Sequence, residues 1–167
     1  LVGLAALPMQ DLSAACEGLQ QAVTALGLKG AMIGTDIPQG FACQSLDSLY
    51  QKLTDLDVPL FIHASSTDGV GGLKDDRLTQ HNLSLSLGYA QEETLAVAQL
   101  LLGGVLDRHP TLDVCVSHGG GAIAFLKQRF ESMATFLGTE STFAEDLKLL
   151  WFDSHLEEGP AHDLVVS

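Results

Sequence analysis

Five short apolar runs alternate with helix-like stretches along this chain of 167 residues, and no two neighbouring runs are joined by a convincing hairpin turn. Such alternation means a parallel sheet whose strands are linked by helical crossovers. The runs are Leu1-Val-Gly-Leu-Ala-Ala-Leu7, Gly30-Ala-Met-Ile-Gly-Thr35, residues 58–63, residues 112–118 and Leu150-Trp-Phe-Asp153. Between the first two, Leu12, Ala15, Leu19, Ala22, Val23 and Leu26 form an i, i+3, i+4 stripe. Asp11 suits the cap before that stripe and Gly27 the position just past its end. Leu46, Leu49, Tyr50, Leu53 and Leu56 mark a second helix, and Ile123, Leu126, Phe130, Met133 and Leu137 another. A shorter helix over 144–149 precedes the last strand. An open doubly wound sheet and a segment of a (β/α)8 barrel both match this order. A whole barrel needs about 250 residues, and five eighths of that is roughly 155. The expected architecture is therefore α/β, a partial (β/α)8 TIM barrel forming one domain over 1–167, with both ends cut.

Two of the runs end in histidine. In Leu112-Asp-Val-Cys-Val-Ser-His-Gly-Gly-Gly121, strand alternation puts Val114, Val116 and His118 on one face and Cys115 and Ser117 on the other. In Val58-Pro-Leu-Phe-Ile-His63, Phe61 and His63 share a face. Functional groups of α/β folds gather at the carboxyl ends of parallel strands, so His63 and His118 are expected at one site. Either one alone is as readily a structural core histidine.

A helix is expected from Glu92 and Glu93, whose charges favour its start, to about Arg108. It is apolar nearly all round and should be well buried. Gly103 and Gly104 inside it cost roughly 1 kcal/mol each relative to alanine, which implies a close-packing reason for them. Residues 64–89 make the longest irregular stretch, of the kind that often forms a binding loop.

With 21 acidic against 8 basic residues, the net charge is -13. That argues against a nucleic-acid partner and against an anionic membrane surface, both of which need clustered cations. The longest apolar run, residues 95–106, is too short to span a bilayer. Cys16, Cys43 and Cys115 are widely spaced, without a CxxC pair, so free thiols and a cytoplasmic location are expected. No signal peptide is visible at the start.

The phrase Glu93-Thr-Leu-Ala, followed by Leu102-Gly-Gly-Val-Leu-Asp-Arg-His-Pro-Thr-Leu-Asp-Val-Cys-Val-Ser-His-Gly-Gly-Gly-Ala122, closely resembles the amidohydrolase-related family. Gly3-Leu-Ala-Ala-Leu-Pro-Met9, Gly30-Ala-Met-Ile-Gly-Thr35, Pro59-Leu-Phe-Ile-His63 and Leu150-Trp-Phe-Asp153 are similar to it as well, in the right order. That family holds 2-amino-3-carboxymuconate-6-semialdehyde decarboxylase and γ-resorcylate decarboxylase. The resemblance implies a barrel of the metal-dependent hydrolase superfamily, with this chain supplying its third to seventh β/α units. It implies one divalent metal ion, usually zinc, held by a His-x-His or Glu-x-His pair on the first strand, a fifth-strand histidine and an eighth-strand aspartate. His63 matches the fifth-strand metal ligand. His118 matches the sixth-strand catalytic histidine, which orients or deprotonates the metal-bound water or substrate. The implied activity of the complete protein is decarboxylation or hydrolysis of a small carboxylated, unsaturated or aromatic acid, with the substrate-binding residues unknown.

Departures from the family pattern matter. No His-x-His is present, and one ligand cannot hold zinc, which takes three protein ligands at a catalytic site. The chain alone is therefore expected to be inactive. Asp36 imitates an eighth-strand Gly-Thr-Asp phrase, but its context assigns it to the strand before His63, so it is not read as the metal aspartate. Ala64-Ser65-Ser66 replaces a Pro-containing segment, and His155-Leu-Glu-Glu-Gly-Pro160 differs from the His-Asp-Pro phrase common after the seventh strand. His155 either lines the site or sits in a solvated loop; the loop is the favoured reading, since loop histidines commonly face solvent.

Other readings stay open beside this one. An amide or lactone hydrolase would use nearly the same constellation. A lipase-type hydrolase, whose oxyanion hole also uses His-Gly-Gly-Gly, lacks its Gly-x-Ser-x-Gly elbow here. Cys115 and His118, three apart on a strand, are not a nucleophile and base. Val70-Gly-Gly-Leu-Lys74 lacks phosphate-loop spacing. The glycines after His118 would either bind an anion or pack strand against helix. A non-catalytic barrel fragment, open at two edges, would expose apolar surface and self-associate, and association into a homo-oligomer fits those same edges.

Overall fold

The computed structural model describes residues 1–65, 75–136 and 142–155. Its five strands form one parallel sheet in chain order: β1 (Ala5–Ala6), β2 (Ala31–Gly34), β3 (Leu60–His63), β4 (Val114–Val116) and β5 (Trp151–Phe152). Helices fill the crossovers: α1 (Leu12–Thr24), α2 (Asp47–Asp55), α3 (Tyr89–Leu102) with α4 (Val105–Arg108), and α5 (Ile123–Phe136) with α6 (Phe143–Asp146). Strand order that follows sequence order, with a helix in every crossover, is the topology of consecutive units of a β/α barrel. Among the described residues no helix is long and apolar enough to cross a membrane.

The sheet has two unlike faces, and the register shows which residues share each. Ala31, Leu60 and Val114 lie side by side, as do Ile33, Ile62 and Val116. All six are buried, together with Leu19 of α1, Leu49, Tyr50 and Leu53 of α2, and Val97 and Leu100 of α3. This is the core, between sheet and helices. The alternate residues form a second row, Ala6, Met32, Phe61, Cys115 and Trp151, on the face a closed barrel turns inward. Here that face is open, and Met32 and Trp151 are 44% and 65% exposed.

Local chemistry accounts for the helix ends. Asp11 caps α1, its carboxylate accepting from Ala14 N at 3.1 Å. Tyr50 presses its ring into the core while its hydroxyl donates to Phe41 O at 2.9 Å. Burial drives the Tyr50 phenol far above its usual range.

The long helix expected to reach Arg108 is broken. α3 stops at Leu102, and Gly104, at φ +63° and ψ +31°, turns the chain before α4. Close packing explains Gly103: a Cβ there would lie 2.4 Å from Ala42 Cβ and 2.5 Å from Gln99 O. The carbonyls of Gly103 and Gly104 accept from one Arg108 guanidinium nitrogen, at 2.7 and 3.1 Å. Arg108 and His109 also bond Asp47 at 3.1 and 3.2 Å, tying the break to the start of α2. Burial is one-sided along α3, leaving Leu95 and Leu102 exposed. They line an apolar groove of about 710 Å³ with Leu126 and Phe130 of α5.

Candidate active site at the strand ends

His63 is the last residue of β3. Its Nδ1 lies 2.9 Å from Ala64 O, and since a carbonyl only accepts, that nitrogen carries the ring proton. Nε2 is thereby left as a lone-pair donor, the arrangement by which a backbone carbonyl orients a metal-binding imidazole. The strand end is pinned on one side by Thr35 N, which donates to His63 O at 3.1 Å, and on the other by Ser117 N, which donates to Ile62 O at 3.0 Å.

His118 reaches the same place by another route than strand alternation. The register pairs Val116 with Ile62 on the helix-facing side, so simple alternation would turn His118 away from His63. The strand instead ends at Val116, and His118 takes φ +47° in a tight turn. Histidine is among the non-glycine residues that tolerate this region, at some cost in backbone strain. The two rings end 5.0 Å apart between centroids, at an interplanar angle of 68°. Tyr89, at the start of α3, stands 6.4 Å from His63 and 6.2 Å from His118. His155, expected in a solvated loop, has its ring 5.7 Å from His118; its side chain is exposed yet borders the site. Its backbone amide is held by Asp153, whose own amide extends the β4–β5 ladder.

Beneath His118 lies Glu93, from the first turns of α3 and fully buried. Its Oε1 accepts from Ser117 Oγ and lies 2.7 Å from His118 Nδ1, while Oε2 is buried with no hydrogen-bond partner among the described residues. Asp36, just past β2, accepts from Ser65 Oγ at 2.5 Å. Cys115 shares the open face with Phe61, and burial, reinforced by Asp153, pushes its thiol up.

The glycines after His118 serve packing. A Cβ on Gly120 would meet the Phe152 ring at 2.6 Å, and one on Gly121 would meet Ala90 O at 2.1 Å. The amide of Ala122, just before α5, donates to Thr94 Oγ1 at 2.8 Å and so is already satisfied. Residues 70–74 and 156–160 lie outside the described residues.

Sequence reading took Glu93 for a helix-start charge and missed Tyr89 and Ser117. One signal for Glu93 was available: it falls on the stripe of Ala96, Val97 and Leu100, which is buried throughout, and a charge there requires a polar partner. For Tyr89 and Ser117 the sequence carries no such signal.

A parallel, sequential β/α array with its polar side chains gathered at the strand C-termini defines this chain as part of a β/α-barrel of the kind that carries chemistry at that end. More narrowly, residues 1–148 match the amidohydrolase family model, and the chain belongs to that family. It is 33% identical over 131 residues to 2-amino-3-carboxymuconate-6-semialdehyde decarboxylase of Dictyostelium discoideum, covering 78% of this chain and 35% of that protein. It is 27% identical over 164 residues to 2-keto-4-carboxy-3-hexenedioate hydratase of Sphingobium sp., covering 95% and 45%. Among solved structures, 5-carboxyvanillate decarboxylase LigW of Sphingomonas paucimobilis superposes with a TM-score of 0.84 at 21% identity, covering 99% of this chain and 52% of that one. A dihydroxybenzoic acid decarboxylase of Polaromonas sp. JS666, solved with manganese and 2-nitroresorcinol, gives 0.73 at 19% identity, covering 90% and 49%. The chain thus spans about a third to a half of the length of these proteins.

Proposed function

We propose that the complete protein is a divalent-metal-dependent decarboxylase acting on a small carboxylated aromatic or unsaturated acid. The observation that carries this reading is the convergence of the His63 and His118 rings at 5.0 Å, with Nδ1 of each already engaged. The relatives named decarboxylases, and the one solved with manganese, point the same way.

Among the described residues no group of three His, Cys, Asp or Glu side chains is arranged to hold a metal ion. The donor chemistry of His63 nevertheless fits one ligand position, through Nε2. The other ligands would come from parts of the protein outside this chain, as the family pattern implies. When bound, the ion would act as a Lewis acid on the substrate's oxygens.

The remaining chemistry falls to this chain. In its doubly protonated form, with Nδ1–H held by Glu93, His118 delivers the proton on Nε2 to the carbon that bears the carboxylate and is left as the neutral Nδ1–H ring, a task suited to imidazole near neutral pH. The bond from that carbon to the carboxylate then breaks, its electron pair stays on the carbon, and carbon dioxide leaves. Solvent returns the proton to His118. Tyr89 and His155 border the same space and contact the substrate's ring or polar groups.

Carbon dioxide release from a panel of hydroxybenzoates and muconate-type acids tests the reading in the complete protein. Release that falls by about a hundred-fold or more in His118→Ala supports it, since general acid–base catalysis contributes about 10²–10⁴-fold. The hydratase relative favours a second reading, water addition to an unsaturated keto acid at the same site. Loss of substrate absorbance without carbon dioxide would select it.

A further inference from the structure

We infer that Glu93 is a positioning residue that holds His118 as its Nδ1–H tautomer and aims Nε2 at the substrate, an inference that rests on the proton-transfer role assigned to His118. Glu93 is the one charged side chain in the cluster that is fully buried. A buried carboxyl group is costly unless hydrogen bonds compensate it. Both of its described bonds fall on one oxygen: Ser117 Oγ donates to Oε1, and His118 Nδ1 lies 2.7 Å from the same atom. Ser117 and His118 are neighbours at the end of β4, while Glu93 comes from α3, so the carboxylate clamps the turn from outside the sheet.

That clamp explains how a histidine with φ +47° keeps one orientation. Ser117 N is bonded to β3, its hydroxyl to Glu93, and the following glycines pack on Phe152 and Ala90. Within that turn the imidazole could still rotate about its own side-chain bonds, and the Nδ1 bond removes that freedom. A carboxylate accepts and cannot donate, so the proton sits on Nδ1 and Nε2 is the atom that exchanges protons with substrate. Removing the orienting partner of a metal-bound histidine changes activity by about 10–100-fold, and a loss on that scale is expected for a proton-transferring one.

The test uses the complete zinc-loaded protein labelled with ¹⁵N-histidine, and the His118 resonances are identified by their loss in His118→Asn. The neutral ring should show a protonated Nδ1 and a bare Nε2. Glu93→Ala should mix the two tautomers and lower kcat for carbon dioxide release about 10–100-fold, with KM within about threefold. Glu93→Gln, whose amide oxygen still accepts from Nδ1, should keep the Nδ1–H tautomer and recover most of kcat. Ser117→Ala, which removes the carboxylate's other donor, should leave the tautomer unchanged. A proton found on Nε2 in the unaltered protein overturns the inference whether or not any variant folds. So does Glu93→Ala with an unchanged tautomer. If instead His118→Ala keeps full decarboxylation, the proton-transfer role fails, and the tautomer measurement stands apart from that failure.

Discussion

Replacing Gly121 with alanine should unfold this protein far more readily than the same change at Gly27. Both glycines have positive φ, +68° and +71°, so both alanines carry a backbone penalty, on the order of 1–3 kcal/mol. Their surroundings differ. A Cβ on Gly27 meets nothing within 4 Å, whereas one on Gly121 falls 2.1 Å from Ala90 O, 2.9 Å from Ala90 C and 2.8 Å from Thr94 Oγ1. Two of those three atoms are backbone of α3 and cannot rotate aside, so the helix must move off the His118 turn. Overpacking of this kind adds about 1–3 kcal/mol. Gly121→Ala should therefore cost about 2–6 kcal/mol and Gly27→Ala about 1–3, against a total stability of about 5–15 kcal/mol. Urea titrations followed by far-ultraviolet circular dichroism measure both, and with m near 1–3 kcal/mol per molar the midpoints should separate by roughly 1 M. Equal losses at the two sites would refute the claim that the glycine turn is packed directly against α3.

Three further outcomes follow from the same geometry. Gly18, inside α1 with open space around it, should become stabilising as alanine by about 0.5–1 kcal/mol, read as a higher melting temperature. Burial raises the Asp47 carboxyl, but hydrogen bonds from Arg108 and His109 outweigh it and hold the group below its usual value. A depressed carboxylate stabilises above its unfolded pKa of about 3.9 and loses that contribution as pH falls through the lower folded value. Acid unfolding should therefore be less steep below about pH 4 in Asp47→Asn than in the parent. The Cys43 thiol is lowered by its hydrogen bonds from Ser45, and the Cys115 thiol is raised by burial and Asp153. Iodoacetamide near neutral pH should accordingly label Cys43 before Cys115, by peptide mass mapping.

The topology was readable because each of its determinants is local. Apolar runs, helical stripes and the Asp11 cap each depend on a few adjacent residues, and the absence of hairpins left only parallel pairing. The two histidines were legible for the same reason, since each ends a run. What alternation could not supply was the path between them. It assigned His118 to the side of Val116, and the register shows that side to be the core, so a positive φ at His118 has to carry the ring across. Backbone reversal at a non-glycine residue leaves no mark in a hydrophobic pattern. Glu93 was missed because its partners, Ser117 and His118, are 24 and 25 residues away, and its pairing exists only once α3 lies against β4. The break between α3 and α4 was hidden similarly: the two glycines were visible, but Ala42, which crowds Gly103, comes from a distant loop. Whether His155 lines the site or only faces solvent is not decided by its loop position, and the fifth strand's place beside β4 is what brings it next to His118.

Anomalous X-ray diffraction from the complete protein, loaded with zinc and a carboxylated aromatic ligand, tests the division of labour between the two histidines most directly. The account predicts a single metal peak on the order of 2 Å from His63 Nε2, with His118 Nε2 outside the coordination sphere and turned toward the ligand's carboxylate-bearing carbon. A peak bonded to His118, or one that leaves His63 without a metal contact, would contradict it.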